Sequence, residues 1–169
     1  GYFNGNIDDA RIYSQALTDA QVQVLYNNTI PAITSAQSAT GTVGTAFSYQ
    51  ITAANGPTSF NAAGLPAGLS VSTGGLIAGT PTSIGTSSVT ISAANAGGTA
   101  SSTLTLSVYS ACDLNRDWAV NVADVQLQVN AALGATACTA DFNRDGVCNV
   151  IDVQRGVNAS LGGQCLLGL

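Results

Sequence analysis

The chain has 169 residues, of which 46% are apolar and only 8% are charged, against about 25% charged in a typical soluble domain. Nine aspartates and four arginines give a net charge of -5, and Lys, Glu, His and Met are absent. The lack of a basic patch argues against nucleic-acid binding, and the lack of a long apolar run argues against a signal peptide and membrane insertion. A surface with so few charges is poorly protected against self-association. We therefore expect a protein partner, another copy of the chain or a glycan to cover part of it.

The first predicted elements are a strand over residues 3–17 and a short helix that begins at Thr18. Residues 18–21 have the Thr-x-x-Gln form of a capping box. Val22, Leu25 and Tyr26 fall on one helical face, and the helix is predicted to end at Asn27 or Asn28. The run FNGNIDDARIYSQALTDAQVQVLYN resembles the last strand and terminal helix of laminin-G-like, concanavalin-type jelly rolls. We therefore treat residues 1–30 as the tail of such a domain.

A lone strand can neither satisfy its backbone hydrogen bonds nor bury its apolar face. Residues 1–28 are therefore expected to pack on the next domain, or to complete a sheet of a neighbouring chain by strand complementation. A proteolytic remnant lying on the surface is the third interpretation.

Residues 31–109 have an all-β pattern. Period-two alternation runs over residues 48–53, 88–93 and 103–108, and turn residues separate these runs at 55–57, 73–75, 80–81 and 95–98. The spacing predicts a small two-sheet sandwich. The motifs GLPAGLSV and GLIAGTPT resemble the immunoglobulin-like domains of bacterial surface proteins, which implies a spacer or adhesive unit. Phe47, Tyr49 and Phe60 are predicted core residues, with sugar stacking by Tyr49 or Phe60 as the alternative.

Residues 110–169 contain a duplicated segment. The sequence from Asp113 reads DLNRDWAVNVADVQLQVNAALG and that from Asp141 reads DFNRDGVCNVIDVQRGVNASLG, identical at 14 of 22 positions. Each copy places oxygen-bearing side chains at loop positions 1, 3, 5, 9 and 12, and a backbone carbonyl at position 7, as a hard cation requires. Calcium is the predicted metal because Mg²⁺ needs a stricter octahedron and softer metals prefer His or Cys. The alternative is that these residues form solvated turns.

The predicted ligands of two Ca²⁺ ions are Asp113, Asn115, Asp117, Ala119, Asn121 and Asp124 in the first loop, and Asp141, Asn143, Asp145, Val147, Asn149 and Asp152 in the second. A helix should follow each loop, with Val125, Val129 and Leu133, and Val153, Val157 and Leu161, packed together. Two loop–helix units of this kind resemble a type I dockerin. The predicted fold is thus mainly β with a small α module, an immunoglobulin-like β-sandwich followed by a dockerin-like pair of calcium loop–helix motifs.

The resemblance also implies a partner surface. Dockerins contact cohesin domains through loop positions 10 and 11, which are Val122, Ala123, Val150 and Ile151 here. If exposed they form a sticky patch for a protein partner, and if buried between the helices they are core. One departure from the pattern is Trp118 at position 6, where the second copy has Gly146. A glycine eases the turn at that position, so we expect the first loop to be strained or weaker.

Four cysteines in the last 58 residues predict disulfides, with a thiol metal or redox site as the alternative. Three pairings are possible from the sequence. The pseudo-twofold arrangement implied by the dockerin resemblance brings the two ends of the module together, which favours Cys112–Cys165 and leaves Cys138–Cys148.

No enzyme activity is predicted. Outside the loops only Asp8, Asp9 and Asp19 could act as acids, and adjacent residues on a strand point to opposite faces. Two extracellular functions are considered. The chain is either a calcium-stabilised subunit of a fibre or surface layer, joined by strand complementation and the dockerin-like module, or the C-terminal region of a secreted glycan-binding or glycan-degrading protein that docks to a cohesin.

Overall fold

The computed structural model of the chain describes residues 12–19, 21–22 and 29–168. Most of the predicted N-terminal strand, including Asp8 and Asp9, lies outside the described residues, as do Leu25, Tyr26 and the predicted helix end. Residues 12–17 are irregular, and Ile12 is fully exposed. The predicted strand is therefore wrong over residues 12–17, because no described strand pairs with them.

The capping box predicted at residues 18–21 is confirmed. The Thr18 backbone N–H donates to Gln21 Oε1 at 2.9 Å, and the Gln21 N–H donates to Thr18 Oγ1 at 3.3 Å. The Val22 N–H donates to the Thr18 carbonyl at 3.0 Å, which closes the first turn.

Residues 32–109 form a β-sandwich. The nine strands are β1 (Ala32–Ile33), β2 (Ser38–Thr42), β3 (Phe47–Gln50), β4 (Ala53–Ala54), β5 (Ser59–Ala63), β6 (Leu69–Val71), β7 (Leu76–Gly79), β8 (Gly85–Asn95) and β9 (Gly98–Tyr109). A four-stranded sheet has the order β2-β9-β8-β5, a three-stranded sheet has the order β3-β7-β6, and β1 pairs with β4. All pairs are antiparallel except β2 with β9.

The core of the sandwich follows from the alternation of the long β8–β9 hairpin, because every second side chain points inward. The buried cluster consists of Phe47, Ile51, Ile77, Val89, Ile91, Leu104, Leu106 and Val108. Tyr49 and Phe60 are half-buried and pack against this cluster, and the Tyr49 hydroxyl donates to the Ala36 carbonyl. Their contacts are those of core residues.

The predicted run over residues 48–53 is interrupted, because strand β3 ends at Gln50 and β4 begins at Ala53. Ile51 between them is buried, and its N–H donates to the Gly75 carbonyl at 2.8 Å. This position therefore belongs to the core although it lies outside both strands.

Two helices follow the sandwich, α1 (Val122–Ala132) and α2 (Val150–Ser160). The predicted packing stripes are wrong at Val157, Leu133 and Leu161, which are 37%, 77% and 82% exposed. The other three members, Val125, Val129 and Val153, are half-buried. The buried helix residues are Asp124, Gln128 and Ala131 in α1, and Asp152, Gly156 and Ala159 in α2. Each inward face contains the aspartate of loop position 12, and residues four and seven positions later share that face.

Two disulfides cross-link residues within the C-terminal module, residues 110–169. They are the expected pairs, Cys112–Cys165 and Cys138–Cys148. A second buried cluster surrounds them, formed by Cys112, Ala131, Ala140, Phe142, Cys148 and Ala159. Disulfides of this kind persist in oxidising compartments. None of the described helices has the length and apolar character that a membrane crossing requires.

Candidate metal centre

Three carboxylates converge in the first loop. One oxygen from each of Asp113, Asp117 and Asp124 lies within 4.8 Å of the other two. Asp113 and Asp124 are 5% and 2% exposed, whereas Asp117 is exposed. The sequence spacing therefore brings the two ends and the middle of the loop to one point.

Asp124 is positioned by the loop backbone. Its Oδ1 accepts hydrogen bonds from the N–H groups of Leu114 at 2.8 Å and Asn115 at 3.2 Å. Its Oδ2 accepts from the Asn121 N–H at 2.9 Å, which is half of a capping box at the start of α1. The carboxylate at loop position 12 thus holds positions 2, 3 and 9 of the loop.

The remaining carboxylates shape the turn. Asp113 accepts from the N–H groups of Asp117 and Trp118, both at 3.1 Å. The Ala119 N–H, followed by the Asn115 carboxamide, holds the pKa of the Asp117 carboxyl below its usual range. Asp117 is therefore an ionised, accessible oxygen donor at neutral pH.

The second loop repeats these hydrogen bonds. Asp152 accepts from the N–H groups of Phe142, Asn143 and Asn149, and Asp141 accepts from those of Asp145 and Gly146. The Asn143 carboxamide, followed by the Val147 N–H, lowers the pKa of Asp145. The two loops therefore share these hydrogen bonds, whereas the convergence of three carboxylates within 4.8 Å is found, among the described residues, in the first loop only.

The predicted ligands at position 9 have another role in the structure. Asn121 and Asn149 are the N-caps of the two helices, and their Oδ1 atoms accept from the N–H groups of Ala123 at 2.7 Å and Ile151 at 2.8 Å. The pattern Asn-x-x-Asp could have indicated this capping box. Metal ligation by Asn121 and Asn149, and by the carbonyls of Ala119 and Val147, stays a prediction.

The charge of the loops makes them suitable for a cation. Each loop contains three aspartates, and no described arginine forms an ion pair with any of them. Burying a carboxylate such as Asp152, which is 0% exposed, is costly without a compensating charge. The donor atoms are all oxygens, so the residues present fit a hard divalent cation.

The residues at loop positions 10 and 11 are exposed. Val122, Val150 and Ile151 are 80%, 76% and 48% exposed, and Ala123 is also exposed. Of the two alternatives, burial between the helices is therefore excluded for this structure.

Residues 30–109 match the model of the family described as "Putative Ig domain". No curated protein matches the chain. Among solved structures, 46% of the chain aligns with a putative alpha-galactosidase/melibiase and with a putative alpha-galactosidase, both from Bacteroides fragilis, at 29% and 32% identity and a TM-score of 0.44. The chain covers 17% of each of those chains. Titin domain M7 aligns with 47% of the chain at 18% identity, over 93% of its own length, with a TM-score of 0.37. Residues 30–109 of this chain are an immunoglobulin-like domain.

Proposed function

We propose that the chain is a non-catalytic extracellular attachment segment. Its C-terminal module, residues 110–169, binds two Ca²⁺ ions through the duplicated loops and docks to a protein partner in the manner of a dockerin. The immunoglobulin-like domain acts as the spacer that carries this module. The observation that carries the proposal is the convergence of Asp113, Asp117 and Asp124, whose carboxylates form no ion pair with an arginine among the described residues. The second loop supports it by repeating the backbone hydrogen bonds of the first.

A bound Ca²⁺ ion would supply positive charge to balance the three aspartates of each loop. A Ca²⁺ ion takes six to eight oxygens at about 2.3–2.6 Å, and Asp113, Asp117 and Asp124 each offer one oxygen within 4.8 Å of the other two. Asp141, Asp145 and Asp152 would serve in the second. The helices begin at the loops, so ion binding would also stabilise α1 and α2.

The exposed residues at the helix starts support the docking role. Val122 and Val150 are equivalent positions of the duplication and are each more than three-quarters exposed. Their repetition at equivalent positions, in a chain with so little charge, supports a contact surface for another protein. A cohesin-like domain is the proposed partner, and self-association is the competing outcome.

The fibre hypothesis rests on residues 1–28, most of which lie outside the described part of the chain. It stays a prediction. The absence of catalysis is proposed on chemical grounds. The loop carboxylates accept hydrogen bonds from backbone N–H groups, the sequence contains no histidine or lysine, and all four cysteines are in disulfides.

Isothermal titration with Ca²⁺ tests metal binding. We expect the unchanged chain to bind two ions. The Asp124→Asn variant and the Asp152→Asn variant should each bind one. Asp19→Asn, which removes an aspartate outside the loops, should still bind two. Binding of no ion by the intact chain would contradict the proposal.

Docking is tested separately by titrating the calcium-loaded chain with a panel of cohesin domains. We expect binding to at least one cohesin, and its loss in the double variant Val122→Asp/Val150→Asp. Sedimentation of the chain alone, with and without Ca²⁺, distinguishes self-association. A calcium-loaded monomer that binds no cohesin would contradict the docking role.

A further inference from the structure

The immunoglobulin-like domain and the first calcium loop meet through aromatic rings. Tyr109 is the last residue of β9, and its ring centroid lies 4.3 Å from that of Trp118, with the planes inclined at 34°. The Arg116 guanidinium carbon lies 5.7 Å from the Tyr109 centroid. Offset ring contacts and an arginine over a ring are both attractive.

Equivalent arginines of both loops reach the same domain. Arg116 Nη1 donates to Thr40 Oγ1 at 3.4 Å, and Arg144 Nη2 donates to the Gly44 carbonyl at 3.3 Å. Both arginines line a cleft of about 540 Å³ between the domain and the module. These long, exposed hydrogen bonds are individually weak, so the ring contact is the stronger part of the junction.

Trp118 makes this contact from a strained backbone conformation. Its φ is +74°, in the left-handed region that glycine occupies without penalty, and the equivalent residue of the second loop is Gly146 with a φ of +88°. A bulky residue persists there only if the surroundings hold it. The Trp118 N–H is held by Asp113 Oδ2 at 3.1 Å, and the ring is held by Tyr109.

We propose that Ca²⁺ in the first loop locks the module against the immunoglobulin-like domain, with Trp118 as the coupling residue. The inference rests on the proposed calcium binding. Without the ion, repulsion among the three converging aspartates opens the loop, and Trp118 relaxes away from Tyr109. With the ion, the loop is closed around Asp113, and Trp118 is presented to the ring.

The coupling must be reciprocal, because two linked equilibria change each other by the same factor. Contact with Tyr109 therefore raises the affinity of the first loop for Ca²⁺. The second loop has no ring at position 146, so its affinity should not depend on Tyr109.

Nitrogen-15 relaxation of the intact chain tests the lock, because it reports how each domain tumbles. We expect one tumbling time for both domains with Ca²⁺ and two different times in EDTA. The Trp118→Gly variant should bind two Ca²⁺ ions and still show two tumbling times. Either of two results would overturn the lock. In one, the intact chain binds two ions but its tumbling times do not change with Ca²⁺. In the other, Trp118→Gly shows a single tumbling time with Ca²⁺.

Titration calorimetry tests the reciprocal effect. Tyr109→Ala should lower the calcium affinity of one site about fivefold or more and leave the other unchanged. Tyr13→Ala, which removes a tyrosine far from both loops in sequence, should change neither. Absence of calcium binding in the intact chain would instead contradict the proposed function, so the two failures are distinguishable.

Discussion

Gln128 of α1 fills the space left by the missing side chain of Gly156 in α2. Gln128 is 1% exposed, and its Nε2 donates to the Asp152 carbonyl. A Cβ at position 156 would lie 2.9 Å from Gln128 Cδ. The two residues occupy equivalent positions of the duplication, so they face each other across its pseudo-twofold axis. Two glutamines would collide there and two glycines would leave a void, so the repeats differ where their symmetry requires it.

Substitution of Gly156 by alanine is therefore expected to destabilise the module. Alanine in an exposed helix position would gain about 1 kcal/mol over glycine. Here overpacking against the buried Gln128 should reverse the sign and cost about 1–3 kcal/mol. Chemical denaturation followed by helix circular dichroism measures the change.

The control for this prediction is the double variant Gln128→Ala/Gly156→Ala. It removes the overlapping carboxamide, so its two effects should not add. A Gly156→Ala chain more stable than the unchanged one would show that Gln128 is free to move aside.

Removal of calcium is expected to affect the two parts of the chain differently. Without the ions, the aspartates repel one another, so EDTA should reduce the helix signal and lower the midpoint of its thermal unfolding. The sandwich has its own buried cluster and should retain its strand signal. Circular dichroism with added Ca²⁺, or with Mg²⁺ at the same concentration as control, measures both. Equal recovery with Mg²⁺ would contradict selectivity for calcium.

The disulfides should contribute unequally to stability. Cys112–Cys165 closes a sequence separation of 53 residues, for which the chain-entropy model gives about 4 kcal/mol. Cys138–Cys148 closes a separation of 10 residues, for which the same model gives about 3 kcal/mol. Paired Cys→Ser variants, compared by denaturation in calcium, should therefore rank in this order. The reverse order would mean that native contacts around Cys148 outweigh loop closure.

The loops could be predicted from the sequence because the hydrogen bonds that shape each loop join residues close to one another in the chain. The spacing of Asp113, Asp117 and Asp124 brings their carboxylates together through hydrogen bonds within twelve residues. The strand alternation of β8 and β9 is local in the same sense. Patterns with a period of 2 or 3.6 are therefore a sound basis for these elements.

Contacts between separately folded parts could not be predicted in this way. Leu133 has the spacing of a core residue, but it is the C-cap of α1 and is 77% exposed. The contact of Tyr109 with Trp118 depends on how the module is placed against the sandwich, for which no sequence period exists. The sequence shows Trp118 only as a departure from the glycine of the second loop.

Arg155 also makes contacts that no sequence period predicts. Its Nη1 donates to the carbonyls of Phe142 at 3.3 Å, Leu166 at 3.1 Å and Gly168. The C-terminal residues are thereby held against the second loop, where the Gly168 N–H also donates to the Phe142 carbonyl at 2.7 Å. Arg155→Ala should release this tail and cost about 1.5–3 kcal/mol, as for hydrogen bonds to a charged group.

Amide hydrogen exchange at Gly168 measures this release directly. We expect exchange to accelerate in Arg155→Ala and to stay slow in Arg144→Ala, whose arginine donates to Gly44 and has no hydrogen bond to the tail. Cys165 is fixed by its disulfide in both variants, so the change should be confined to the residues after it. Slow exchange at Gly168 in Arg155→Ala would mean that the backbone hydrogen bond to Phe142 and the packing of Leu167 hold the tail without the arginine.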